Sequence, residues 1–127
     1  MRTNFSSGSI WESQVGYSRA VKVGNIIEVA GTTAMDGDQL VGKDDLYAQT
    51  VFILKKIETV LREAGASMND VVRTRMFVTD IKNWEEAGKA HALFFSNIQP
   101  AATLIQISKL IRDDLLIEIE VTAILPG

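Results

Sequence analysis

Five charged side chains, Glu28, Arg73, Arg75, Glu118 and Glu120, interrupt stretches of the chain that are otherwise apolar and β-branched. They are the first candidates for chemistry. Glu118 and Glu120 lie two residues apart, which puts two carboxylates on one face of a strand. Loss of water and mutual repulsion both raise a carboxyl pKa, and a carboxyl group raised toward neutrality can accept or donate a proton. Glu118 is the leading candidate for that role and Glu120 the second. The same residues have a plainer use, as an ion pair of Arg75 with Glu118 or Glu120, or as a solvated sheet face. His91 is the only histidine and sits in a helical pattern beside Phe94 and Phe95, a setting that suits packing better than catalysis. Cysteine is absent, which excludes thiolate catalysis and disulfides, and no other grouping has metal-ligand spacing. No metal or other cofactor is expected, and glycine-rich phosphate-binding signatures are missing.

The elements that must position these groups follow from periodicity. Tyr17–Val23 and Ile26–Gly31 alternate like strands, joined by Gly24-Asn25, a dipeptide suited to a tight hairpin turn. Met35–Lys43 is rich in turn residues and reads as a loop. Asp44 or Asp45 caps a helix to about Ala64, with Leu46, Thr50, Ile53, Leu54, Ile57 and Leu61 on one face and Gly65 as its left-handed stop. Val71–Thr79 is the next strand. Asn83 and Glu86 have capping-box spacing for a helix to about Asn97, and Ala102–Ser108 and Leu115–Ile124 are the last strands. The order β-β-α-β-α-β-β predicts an α+β fold in which right-handed crossovers put both helices on one face of a single mixed sheet.

Alternation divides each strand. Val72, Thr74, Met76 and Val78 form one set in the fourth run and Arg73, Arg75 and Phe77 the other. In the last strand Ile117, Ile119, Val121 and Ala123 oppose Glu118, Glu120 and Thr122. In the second, Ile27 and Val29 oppose Ile26, Glu28 and Ala30. The apolar sets pack under the helices. The mixed sets form a face that is either solvated or covered by self-association with opposite charges paired across it. Ile26 and Phe77 favour association, because a large apolar patch is unusual on a monomer.

The chain has 127 residues, 46% hydrophobic and 23% charged, and a net charge of −3, as expected for one globular domain over residues 1–127. The negative balance argues against nucleic acid as a partner, and no apolar run has the roughly 18 residues of a membrane span. Met1–Gln14 is polar and lacks the apolar core of a signal peptide, so a cytoplasmic setting is expected.

From Gly16 onward the chain resembles the YjgF/RidA family of enamine/imine deaminases, formerly called endoribonuclease L-PSP. The resemblance rests on Gly16-Tyr17, Gly24-Asn25-Ile26-Ile27, Ala30-Gly31, Ala64-Gly65-Ala66-Ser67, Asp70-Val71-Val72, Phe77-Val78-Thr79-Asp80, Phe94-Phe95 and the closing Ile117-Glu118-Ile119-Glu120. It implies a YjgF/chorismate-mutase-like homotrimer with a small-molecule site in clefts between subunits. It also implies catalytic roles for Glu118 and Tyr17 and substrate-binding roles for Gly31 and Thr32. The Pro of the family's Gly-Pro-Tyr is missing before Tyr17, and a second departure bears on the chemistry. Pro100-Ala101-Ala102 stands where the family has Pro-Ala-Arg, and the Arg would bind a substrate carboxylate. Three outcomes are open. Arg19, which shares an alternation set with Tyr17, or Arg75, on the mixed face, supplies a guanidinium from elsewhere. Otherwise the substrate has no carboxylate there and Ala102 makes room for another group. The resemblance leaves three functions: imine or enamine hydrolysis with an altered substrate, ligand binding without turnover, and ribonuclease activity, which the acidic charge disfavours.

Overall fold

The structure, a computed structural model, describes all residues from Met1 to Gly127. Its strands are β1 (Arg2–Phe5), β2 (Ala20–Val23), β3 (Ile26–Thr32), β4 (Met35–Asp36), β5 (Gln39–Leu40), β6 (Val71–Val78), β7 (Ala101–Gln106) and β8 (Ile117–Ile124). The α-helices are α1 (Ile10–Val15), α2 (Leu46–Glu63) and α3 (Trp84–Phe95), with single 3-10 turns at Met68–Asp70 and Ile81–Asn83. Six strands form one mixed sheet in the order β1-β2-β3-β8-β6-β7, in which only the β6–β7 pair is parallel. The helices lie on one face, as the crossover argument requires.

The core confirms the expected faces with one correction. Ile27, Val29, Met76, Val78, Ile117, Ile119, Val121 and Ala123 are buried against Ile53, Leu54, Ile57 and Leu61 of α2. Val72 does not join them: it is exposed, and Val71 is buried in its place. The register shows why. Val71 pairs with Ala123 but Arg73 with Thr122, so β6 carries one residue more than its partner at this point. Such a bulge inverts the alternation on one side of itself.

Local signals placed α2 accurately. Asp45 caps it by accepting from the Ala48 amide at 2.9 Å, and Gly65 follows its end at φ +89°. The α3 expectation needs correction. The Asn83 side chain makes no capping bond, α3 ends at Phe95, and Asp80 instead accepts from the Lys82 amide to start the preceding 3-10 turn. In the β2–β3 hairpin only Gly24 takes a positive φ, +60°. The expected loop at Met35–Lys43 contains the small β4–β5 hairpin. The regular part of the first strand begins at Ala20, and the last two strands span 101–106 and 117–124.

Two features were invisible to periodicity. The polar N-terminus forms β1, which pairs with β2, and the short helix α1. Gln49, on the buried side of α2, is fully enclosed. Its amide donates to the carbonyls of Gly42 (3.1 Å) and Asp114 (3.0 Å) and accepts from the Leu116 amide (2.9 Å). One side chain thereby ties the loop before β8 to α2, two residues ahead of Glu118. Replacing Gln49 with Ala removes three hydrogen bonds worth roughly 1 kcal/mol each and leaves their partners enclosed. Chemical denaturation of Gln49→Ala is expected to show a loss of about 3 kcal/mol. A loss below about 1 kcal/mol would show that the tie is dispensable.

Candidate functional site

Glu118 projects from β8 onto the helix-free face, beside Phe77 of β6 in the register. Its other neighbour is created by a second bulge. Val29 pairs with Val121 and Thr32 with Ile119, so β3 holds one extra residue between them. The extra residue brings the backbone of Gly31 against the Glu118 side chain. A Cβ built on Gly31 would stand 2.8 Å from the Glu118 carboxyl carbon, so glycine is the residue that this approach permits. Bulges commonly re-aim a side chain beside a functional site, and this one fits Gly31 under a carboxylate.

Arg19 approaches Gly31 through the other side of β3. Ala20 pairs with Val29, and the ladder continues one step, with the Ala30 amide donating to the Arg19 carbonyl and the Arg19 amide donating to the Phe5 carbonyl. This fixes the Arg19 backbone beside Ala30. Its Nη2 donates to the Gly31 carbonyl at 2.5 Å, and its guanidinium lies 6.0 Å from the centre of the Tyr17 ring. Tyr17, Arg19, Gly31 and Glu118 are thus brought together by three strands from opposite ends of the chain.

The electrostatics follow from this placement. Loss of water pushes the Glu118 pKa above the ordinary carboxylate value of 4.5, the charge of Glu120 pushes it further, and Arg19 opposes both. Glu118 accepts no hydrogen bond within the chain. Lys56 of α2 reaches over the end of β3 and donates to the carbonyls of Thr33 (3.3 Å) and Met35 (2.6 Å). Burial lowers its pKa, and repulsion from Arg19 adds to the shift while Asp36 resists it. Glu12 of α1 is buried and accepts from Ser6 Oγ at 2.8 Å, from the Ser7 amide at 3.1 Å and from the Ser7 hydroxyl. Burial alone would raise its pKa, but these bonds and the charge of Arg19 outweigh it and the net shift is downward. Neither Lys56 nor Glu12 stands out in the sequence. The Ser6, Ser7 and Ser9 cluster around Glu12 was the one available signal.

The remaining candidates lie elsewhere in the chain. Arg75 pairs with Glu120 at 3.7 Å, directly across β6 and β8, which settles the choice between its two expected partners. Thr32 turns into the core, with its hydroxyl donating to the Ala30 carbonyl. Ala102 is exposed on the edge strand β7 and pairs with the buried Thr74, so it faces the helix side, away from Glu118. His91 is hydrogen-bonded to Thr74 Oγ at 2.9 Å and packs on Phe95, and burial lowers its pKa. No three His, Asp or Glu side chains group closely enough to hold a metal ion, and no helix is long and apolar enough to cross a membrane.

A six-stranded mixed sheet with helices on one face, and a glycine bulge beneath a carboxylate on the other, define an α+β protein of the YjgF fold. Comparison with known proteins makes this specific. The sequence model of the Endoribonuclease L-PSP family matches residues 9–125. An uncharacterized protein of Streptomyces coelicolor is 36% identical over 117 residues, covering 92% of this chain and 87% of its own. A RutC family protein of Pyrococcus abyssi is 36% identical over 108 residues, 84% of each chain. Among solved structures, a Mycobacterium tuberculosis member of the YjgF/YER057c/UK114 family superposes with a TM-score of 0.90 at 47% identity, covering 98% of this chain and 100% of that one. A Rid family protein of unknown function from Yersinia pestis gives 0.85 at 29% identity, covering 98% and 100%. The chain belongs to the YjgF/RidA family.

The raised pKa of Glu118 makes a prediction about stability. The folded state disfavours the ionised form, so wild-type protein loses stability as pH rises from the unfolded value near 4.5 through the higher folded one. Glutamine carries no such penalty. Glu118→Gln is therefore expected to melt at a higher temperature than wild type at pH 8, with the gap closing at pH 4. Thermal melts at both values check this. An equal gap at both would mean that Glu118 ionises as freely folded as unfolded.

Proposed function

We propose that the protein is a small-molecule hydrolase that adds water to the C=N bond of an imine or the tautomeric enamine, with Glu118 moving the proton and Tyr17 orienting the water. The observation that carries the reading is Glu118 itself. It is partly desolvated, bonded to nothing in its own chain, and packed against a bulge glycine whose missing Cβ leaves it room. The ionised carboxylate takes a proton from water as the water oxygen bonds to the imine carbon and the C=N π pair moves to nitrogen. Glu118 then returns the proton to nitrogen to give a neutral carbinolamine, and the hydroxyl proton passes by way of Glu118 to the amine as the C–N bond breaks and the C=O bond forms. Imine and water become carbonyl compound and ammonia, with no net proton change and no cofactor. Family membership supports the assignment, since Tyr17, Gly31 and Glu118 fall where the resemblance puts the working residues.

The active assembly in this reading is a homotrimer joined through the helix-free face. Ile26, Ile105 and Ile124 are each more than 40% exposed there, beside the charged pairs, and self-association would cover them. A partner copy would also close the open side of the Glu118 cleft. Ligand binding without turnover is the competing reading, favoured by Ala102, which offers no charge where the family pattern has one.

The test uses imines made in situ by oxidising several amino acids, with imine decay and ammonia release followed over time. Decay faster than in buffer, with rates that differ among substrates, is expected. Glu118→Ala should lower the rate by about 10²- to 10⁴-fold, and Tyr17→Phe by less. Decay no faster than in buffer, or unaltered by Glu118→Ala, would refute hydrolysis. Saturable binding of the carbonyl products without turnover would then establish the competing reading.

A further inference from the structure

Between β1 and β2 the chain makes one excursion, from Ser6 to Ser18, whose two ends are tied together. The Arg19 amide donates to the Phe5 carbonyl at 2.8 Å, and Asn4 Nδ2 donates to Ser18 Oγ at 2.8 Å. A surface loop closed at its base and packed by its own side chains is an Ω-loop, and such loops are frequently functional. α1 lies inside this one and is built inside out. Its apolar residues Ile10, Trp11 and Val15 are 65%, 53% and 70% exposed, and Glu12 is its only buried residue. The hydrophobic core takes no side chain from α1. The turns at its ends, Gly8 at φ +82° and Gly16 at φ +89°, stand in open space. Burial of an apolar face, which docks most helices, is not what docks α1.

Glu12 does so instead, and it acts in both directions along the chain. Backward, its carboxylate accepts from Ser6 Oγ (2.8 Å), from the Ser7 amide (3.1 Å) and from the Ser7 hydroxyl. Forward, its carbonyl accepts from the amides of Gly16 and Tyr17, both at 2.9 Å. The start and the end of the excursion thus meet on one residue. Hydrogen bonds to an ionised acceptor are roughly twice as strong as neutral ones, and Arg19 is the charged group whose field reaches this carboxylate. What the arrangement holds is Tyr17. That residue is exposed, its amide is bonded to Glu12, and its ring stands 6.0 Å from the Arg19 guanidinium, which rests on the Gly31 carbonyl.

We infer that Glu12 is a positioning residue of the candidate site: its carboxylate locks the excursion in the conformation that presents Tyr17 beside Arg19 and Gly31. A carboxylate suits this better than an amide. Glutamine offers one acceptor oxygen where glutamate offers two, and the Ser7 amide can only donate, so glutamine restores the lock in part. What Tyr17 does to an imine rests on the proposed hydrolysis; the hold of Glu12 on Tyr17 stands without it.

Hydrogen exchange followed residue by residue separates a local lock from a contact that stabilises the whole fold. In Glu12→Ala the amides of Gly16 and Tyr17 are expected to exchange about 10- to 100-fold faster than in wild type, the range of one or two hydrogen bonds to a charged group. The amides of Ile27 and Ile119, in the core strands, should not change. Ser6→Ala combined with Ser7→Ala removes both hydroxyls from the other side and should act in the same direction. Glu12→Gln should fall between Glu12→Ala and wild type. With imine as substrate, Glu12→Ala should lower the rate much less in a Tyr17→Phe background than in wild type, because a residue that acts through Tyr17 has little left to affect once the hydroxyl is gone. Unchanged exchange at Gly16 and Tyr17 in both Glu12→Ala and the double serine variant would overturn the inference. So would an acceleration shared equally by Ile27 and Ile119, or full additivity with Tyr17→Phe. If wild type turns over no imine, the hydrolase reading fails and the exchange rates alone decide the role of Glu12.

Discussion

The close approach of a carboxyl group to a main chain without a Cβ governs this molecule. The Glu118 carboxyl rests against β3 where residue 31 is glycine, since a Cβ there would push it aside, and β3 carries one residue more than β8 at that point. A regular ladder would continue the alternation through residues 30 and 31, and the approach would be lost. The bulge also sets the side of Gly31 that faces Arg19, because its carbonyl is the group on which the guanidinium rests. Three strands therefore share one backbone irregularity, and the charges they carry are positioned relative to it.

Around that point the helix side and the open side of the sheet divide the work. The helix side is apolar and closed, with Gln49 the conspicuous exception. Its three hydrogen bonds fix the chain just before β8, and so the start of the strand that carries Glu118. The open side combines one ion pair, Arg75 with Glu120, and a hydrogen bond from the Thr122 hydroxyl to Glu28 at 2.6 Å with exposed isoleucines. Satisfied pairs stiffen a face without demanding anything of a ligand. On that face the Arg19 Nε is enclosed without a partner, and Glu118 is the partly desolvated carboxylate.

How much of this could be read from the letters depends on the range of the interactions. The helix α2, its cap at Asp45, its stop at Gly65 and its buried face are local and periodic, and the sequence specified them. The division of β3, β6 and β8 into an apolar and a mixed face followed from alternation, and failed at Val72 because a bulge shifts the phase without leaving a compositional mark. Asn83 and Glu86 had the spacing of a capping box, but Asp80 started the turn earlier and left Asn83 nothing to cap. Glu118, Tyr17 and Gly31 were named from a resemblance, and Arg19 from its shared alternation with Tyr17. Gln49 and Lys56 were not legible, and Glu12 only through the serines around it. Their partners lie in distant loops or on the main chain, and no residue-type pattern encodes a bond to a carbonyl.

The saturated carboxylate of Glu12 extends the reach of the site to the start of the chain. Ser6 and Ser7 hold Glu12, Glu12 lies in the field of Arg19, and Phe5 accepts the Arg19 amide. Of these residues Phe5 also packs against the hydrophobic core. The opening residues therefore serve the sheet edge, through β1 and Phe5, and the placing of the Arg19 guanidinium together. Variation in the opening residues is thereby felt at the sheet edge and at Arg19 at once.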